Sequence, residues 1–251
     1  MIHLSSVKKA LKILGAFSAN QPELGVTEIS NIVNSHKSSV FRILSTLVSE
    51  GFVEKDPTTN KYRLGLKLVD LGNQVLGRYD LRGHAGPFME ELARKTNEII
   101  HLSILDRNEI VYLDKKGEGQ PLTVSTKIGG RSPAHACAMG KALLAGLPSD
   151  KLTNVLVGPL VRLTPATITT VPKLLKELDR VRKQGYAVDD EESFAGIRCV
   201  AAPVVGGQRN VVAAISATVP KQRMGQKRTT EIRDQVVHTA RLISKRIQGS
   251  L

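Results

Sequence analysis

Two short helical repeats lie almost end to end between residues 27 and 47, and that closeness constrains the fold more than any other feature of the chain. Ile29, Ile32 and Val33 share one helical face over residues 27–34, which predicts an inward stripe with Thr27 as N-cap. Val40, Ile43, Leu44 and Leu47 share a second face over residues 35–47, with Ser35 as the expected N-cap and Gly51 as the stop. Only a tight polar link separates them. An earlier stripe, Val7, Ala10, Leu11, Leu14 and Phe17, predicts a first helix that ends in the polar loop ANQPELG.

After Gly51, the segments FVEK and KYRL alternate apolar and polar residues on either side of DPTTN. Asp56-Pro57 presets a β-turn, so the two segments predict a hairpin. Three helices with a short turn between the last two, followed by a hairpin, make a winged helix-turn-helix. The face of residues 35–47 away from the apolar stripe carries Lys37, Ser38, Ser39, Phe41 and Arg42. Hydroxyls, one aromatic ring and two cations suit a DNA major groove better than a core. The helix N-terminus attracts phosphate, Arg42 can reach a guanine edge, and Phe41 can meet a thymine methyl. Lys55, Lys61 and Arg63 on the hairpin are candidates for the flanking backbone, and Thr27 completes the candidate DNA-contacting set. The competing reading is a small helical bundle whose third helix is simply solvated.

The formal charge of +13 favours an anionic partner. It does not locate one, because residues 1–64 hold 8 Lys/Arg against 5 Asp/Glu while residues 221–251 hold 8 against 2. No apolar run approaches the ~18 residues of a membrane span, and the first residues carry no small-residue cleavage site. Two cysteines far apart, Cys137 and Cys199, fit a reducing cytoplasm better than a disulfide scaffold. The expectation is a cytoplasmic chain with no membrane association and no cofactor.

Residues 66–79 carry a further helical stripe (Leu68, Leu71, Val75, Leu76), a linker helix directly after the wing. The expected division is therefore residues 1–64 for DNA binding, 65–80 for the linker and 81–251 for a second domain. That domain opens on a helix at 81–96 and then alternates strands (IIHLSILD, EIVYLDKKG, LTVSTKIG) with helices (GKALLAGL, PKLLKELDRVRKQG). VAAPVV and VVAAIS around GGQRN read as a hairpin, so the sheet is at least partly antiparallel and the class is α+β. A final basic amphipathic helix places Ile232, Val236, Ile243 and Ile247 inward, with Arg233, Arg241 and Lys245 outward.

HACAMGKALLAG lacks the glycine and the Ser/Thr of a phosphate loop, and reads as a tight loop entering a helix. Asp189, Asp190, Glu191 and Glu192 stand in a row on an expected loop, either all solvated or with one turned inward. Asp189 with His135, Cys137 and Cys199 leaves two rival readings open, an enzyme acting on a small substrate and a zinc-binding protein.

From Val7 to Pro220 the chain resembles the IclR family of bacterial transcriptional regulators. The resemblance rests on ALKILGAFS, ELGVTEIS, HKSSVFRILSTLVSEGFVEKD, KYRLGLKLVDLG, HACAMGKALLA, GYAVDDEE and GIRCVAAPV. It implies a non-enzymatic, DNA-binding regulator, expected to be a repressor of a catabolic operon. It also implies a C-terminal effector-binding domain of the GAF/PAS type, with dimers or tetramers on a palindromic operator in double-stranded DNA. Carried onto this chain, the family's effector pocket is lined by Ala138, Met139, Asp189, Ile197, Cys199, Ser216 and Thr218, with Val124 and Ser132 as side walls. A small organic acid fits such a pocket, whether a hydroxy-, sugar- or aromatic acid. Met139 is bulkier than the small residue some members carry there, which disfavours a two-carbon acid.

Overall fold

The computed structural model describes residues 4–18, 20–78, 81–117, 126–156, 158–207 and 210–249, with side chains omitted at 75–78. The chain divides into two compact units, Met1–Tyr79 and Asp80–Leu251.

In the first unit, α1 (Ser5–Leu14), α2 (Val26–Val33) and α3 (Lys37–Ser49) precede the antiparallel strands β1 (Val53–Lys55) and β2 (Tyr62–Leu64). Ile13, Phe17, Leu24, Ile29, Val33, Val40, Leu44, Leu47, Val53 and Tyr62 form one buried cluster. Removing a fully buried aliphatic side chain such as Ile13 from a cluster of this kind costs about 2–5 kcal/mol. Gly51 takes φ +75 directly after α3, a left-handed conformation that glycine adopts without the steric penalty of a Cβ. Leu24, expected in a loop, exchanges two backbone hydrogen bonds with Tyr62 (3.0 and 2.9 Å) and so adds a bridge to the hairpin.

Local expectations shift in several places. The N-cap of α2 is Gly25, not Thr27: the Glu28 carboxylate turns back to accept the Gly25 N–H at 2.6 Å, and Thr27 lies in the first turn. The N-cap of α3 is His36, not Ser35, and the Ser35 hydroxyl is buried without a partner. Ile32, Val7 and Leu11 are 52%, 51% and 64% exposed rather than inward, because Ile29 and Val33 on α2, and Ile13 on α1, already cover the core. α4 (Lys67–Arg78) follows the hairpin as expected, although the side chains of Val75 and Leu76 lie outside the described residues.

The second unit opens on α5 (Leu81–Thr96). It continues through β3 (Ile99–Asp106), β4 (Glu109–Lys116), β5 (Arg131–Pro133), α6 (Ala138–Ala145), α7 (Ser149–Val155) and α8 (Val171–Gln184). β6 (Ala187–Asp190), β7 (Ile197–Val205), β8 (Val211–Pro220) and α9 (Gln226–Gln248) complete it. The sheet order is β5-β4-β3-β8-β7-β6, and every neighbouring pair is antiparallel. Ala201 and Ala214 pack with α6 and α8. The alternating Val200, Ala202 and Val204 are equally buried and face the other side, where α5 and α9 lie. Ile232, Val236, Ile243 and Ile247 of α9 are buried as their spacing predicts. The expected strand over 122–129 lies partly outside the described residues, and Thr126–Gly129 form no strand. Asp189 and Asp190, expected on a loop, belong to the edge strand β6.

Candidate nucleic-acid interface and ligand pocket

α3 buries Val40, Leu44 and Leu47 and turns Lys37, Ser38, Phe41 and Arg42 to solvent, with Ser39 half-buried. Phe41 is 51% exposed, which a core aromatic would not be. Among the described residues, Lys37, Arg42 and Lys61 make no ion pair. On the hairpin, Arg63 donates from Nε to Glu54 at 2.9 Å, and Lys55 Nζ sits 5.9 Å from the Tyr62 ring centre. Arg63 is therefore partly committed to its cross-strand carboxylate, whereas Lys61 at the turn is free to meet phosphate. The turn itself is held by Asp56, whose carboxylate accepts the Thr59 and Thr58 N–H groups at 2.9 and 2.7 Å; these bonds hold it below the usual carboxylate range. Thr27 is exposed on α2.

In the second unit a cavity of about 20 Å³, room for a single water, lies between the sheet and the start of α6. The turn at residues 134–136 can fold tightly onto the start of α6 because Gly140 has no side chain: a Cβ there would stand 2.1 Å from the Ala134 carbonyl oxygen. Cys137 caps the helix, its sulfur accepting the Gly140 N–H at 3.4 Å, and burial pushes its thiol up to about 12. Across the sheet, Cys199 Sγ is 3.5 Å from Thr218 Oγ1, which is 3.2 Å from His101 Nδ1. His101 Nε2 is in turn 2.7 Å from Thr126 Oγ1. Burial lowers the His101 pKa to about 3, so the ring is neutral and carries one donor and one acceptor between two hydroxyls. Tyr112 stacks edge-on against it, with ring centres 5.3 Å apart.

Asp189 is fully buried. It accepts the Glu192 and Ser193 N–H groups (2.7 and 3.3 Å) and the Ser193 hydroxyl, while burial raises its pKa. Three donors leave one lone-pair position on the carboxylate for a ligand hydroxyl. Behind it, Lys141 is only 1% exposed; its ammonium bonds the Val188 carbonyl at 2.6 Å and pairs with Glu192.

The cavity gathers Ala138, Met139, Asp189, Ile197, Cys199, Ser216 and Thr218 from the sequence-based set. It does not gather Ser132, which is buried on β5 opposite Ile110, and Val124 lies outside the described residues. Cys137, singled out in the sequence only for the enzyme and zinc readings, also lines it, and His101, Tyr112, Thr126, Ser193 and Phe194 line it and escaped sequence reasoning. The signal for His101 was a lone imidazole in the apolar run IIHLSILD. Of the His135, Cys137, Cys199 and Asp189 constellation, Cys137, Cys199 and Asp189 reach the cavity and His135 does not. His135 is tied through Nε2 to the Val161 carbonyl at 3.0 Å, off the cavity, and no group of metal-ligating side chains occurs among the described residues.

Both units match families of known proteins. The family described as "Bacterial transcriptional regulator IclR C-terminal" matches residues 73–245, and the "IclR helix-turn-helix domain" matches residues 6–57. The HTH-type transcriptional regulator XynR of Escherichia coli (strain K12) is 38% identical over 244 residues, covering 96% of each chain. The regulator KdgR of the same organism is 39% identical over 242 residues, covering 95% of this chain and 92% of its own. The crystal structure of an IclR homologue from Microbacterium hydrocarbonoxydans, complexed with 4-hydroxybenzoate, matches with TM-score 0.85 at 25% identity, covering 97% of this chain and 99% of that one.

Proposed function

The chain belongs to the IclR family of bacterial transcriptional regulators, and from that premise we propose that it is a cytoplasmic repressor whose operator affinity is set by a small organic acid. α3 lies in the major groove with Arg42 toward base edges, and Lys61 meets phosphate beside it. The exposed apolar residues Leu4, Val7 and Leu11 on α1 support pairing of two copies on a palindrome, since one winged helix covers one half-site. Residues 65–80 act as the linker between DNA-binding and effector-binding domains.

The observation that carries the effector reading is the small cavity at the start of α6, whose largely apolar lining holds a few placed polar groups. It combines helix N–H groups, hydroxyls of Ser216 and Thr218, and one open position on Asp189. A carboxylate suits the N–H groups, and a hydroxyl on the same ligand suits Asp189. Room for one water means that an acid of several heavy atoms must displace a wall. Met139 is flexible and Phe194 is 44% exposed, so these two are the walls that yield. A ligand that fits only the opened form has the differential affinity that a regulatory effector requires. Regulation rather than turnover is supported by the thiols of buried Cys137 and half-buried Cys199, both pushed upward by desolvation, and by the engagement of His135.

The test is to select a binding duplex from a random library and titrate hydroxy-, sugar- and aromatic acids, 4-hydroxybenzoate included, against the complex. Release by one acid class without its chemical conversion is the expected result. Conversion of an acid, or a complex indifferent to all three classes, overturns the reading. Raised reporter expression on deletion of the regulator is expected for a repressor; lowered expression reverses the sign.

A further inference from the structure

α1 and α3 flank an open groove of about 730 Å³ lined by Ser5, Ser6 and Lys9 on one side and Ser38, Ser39, Arg42, Ile43 and Thr46 on the other. The two helices together carry Lys8, Lys9, Lys12, Lys37 and Arg42 and no carboxylate, and the first acid of the chain is Glu23. Among the described residues, Lys9 and Arg42 make no ion pair, and Ser5, Ser6, Ser38 and Ser39 make no side-chain hydrogen bond. These solvated hydroxyl, ammonium and guanidinium donors stand along both walls with no partner among the described residues, so all of them are available to an anionic acceptor. We infer that this groove seats the sugar-phosphate backbone of duplex DNA, with Lys9 and the first turn of α1 as a contact separate from the base-reading face of α3.

The inference rests on the reading of α3 as the groove-entering helix. Phosphates flank every half-site, so a helix whose Arg42 reaches base edges brings a backbone strand past the groove that Arg42 also borders. Small side chains at Ser5, Ser6, Ser38 and Ser39 let the strand approach closely, and hydroxyls are suitable phosphate donors. Lys9 is half-buried against the groove, whereas Lys8 is exposed and is not part of its lining.

Lys9→Gln, Lys8→Gln and Arg42→Ala are compared on two labelled probes, a duplex selected from a random library and a random-sequence duplex of equal length, each titrated with KCl. Lys9→Gln is expected to weaken both probes by the same factor and to lower the slope of log K against log salt by about 0.9, one phosphate contact. Lys8→Gln is expected to leave the slope unchanged. An unchanged slope for Lys9→Gln, or equal slopes for Lys8→Gln and Lys9→Gln, overturns the α1 contact. Arg42→Ala separates this from the parent reading. Loss on the selected duplex alone upholds α3 as the base reader, whatever Lys9 does, and no loss there overturns the parent reading. Glutamine keeps most of the lysine stem, so unaltered far-UV circular dichroism is expected for both lysine variants.

Discussion

Asp189 and Cys199 stand directly opposite each other across the β6–β7 pair, and both side chains reach the same cavity. The neighbouring Asp190 points the other way and pairs with Arg198 at 2.7 Å and Lys221 at 3.3 Å on the surface. Strand alternation separates two adjacent carboxylates into a buried role and an exposed one.

Asp189→Ala and Ser216→Ala should therefore abolish release by effector while leaving operator affinity without effector intact. Asp190→Ala should change neither, because an exposed ion pair contributes roughly 0–1 kcal/mol. Operator affinity with and without the releasing acid, together with melting temperatures, checks this. Parallel loss of DNA binding and stability in Ser216→Ala would make these residues structural rather than ligand-binding.

The buried pair gives a second expectation. Lys141→Met leaves Glu192, 8% exposed and already with one unsatisfied carboxylate oxygen, buried without its ammonium. Stranding one member of a buried pair costs about 3–5 kcal/mol. The double variant Lys141→Met/Glu192→Leu should recover much of that loss. Since the chain has no tryptophan, urea unfolding followed by far-UV circular dichroism is the suitable measurement.

His101 sets a third, in pH. The unfolded ring titrates near 6.5 and the folded ring stays neutral down to about 3. Between those values the unfolded chain holds the extra proton, so stability falls as pH falls through 6.5. At about 1.4 kcal/mol per unit, lowering the pH to 5 removes on the order of 2 kcal/mol. His101→Gln should lose that much less over the same interval; identical pH curves for the two proteins would refute it.

Assembly supplies a fourth. Leu11→Lys places a charge in the exposed α1 stripe and should shift the chain toward monomers in sedimentation. Binding to a palindrome should fall with it, because the two recognition helices must be held about 34 Å apart or a multiple of that. A monomer that binds a palindrome as tightly as the parent would contradict the pairing.

Much of the first unit was legible in residue order. The stripes of α2 and α3, the Asp56-Pro57 turn and the outward Lys37–Arg42 face follow from local periodicity and turn chemistry. Even there, Thr27 is not the cap of α2, because the Glu28 side chain reaches back to Gly25 and moves the helix start, and α3 starts after His36 rather than Ser35. Periodicity also could not separate buried from exposed apolar residues: Val7, Leu11 and Ile32 share the pattern of a core stripe but are 51%, 64% and 52% exposed among the described residues.

In the second unit the sequence alone determined the helices α5, α6 and α8, the strands β3, β4, β7 and β8, and the inward stripe of α9. Tertiary structure decided the rest. AVDD carries no strand pattern, and β6 exists because β7 offers a backbone edge to pair with. Lys141 looks like a surface lysine on GKALLAG until Glu192, 51 residues later, is folded against it. His101 and Thr218, 117 residues apart, meet only because β3 pairs with β8. Side-chain pattern records what a segment prefers within a few residues, whereas burial of charge and the walls of a cavity depend on which distant segment arrives to close them.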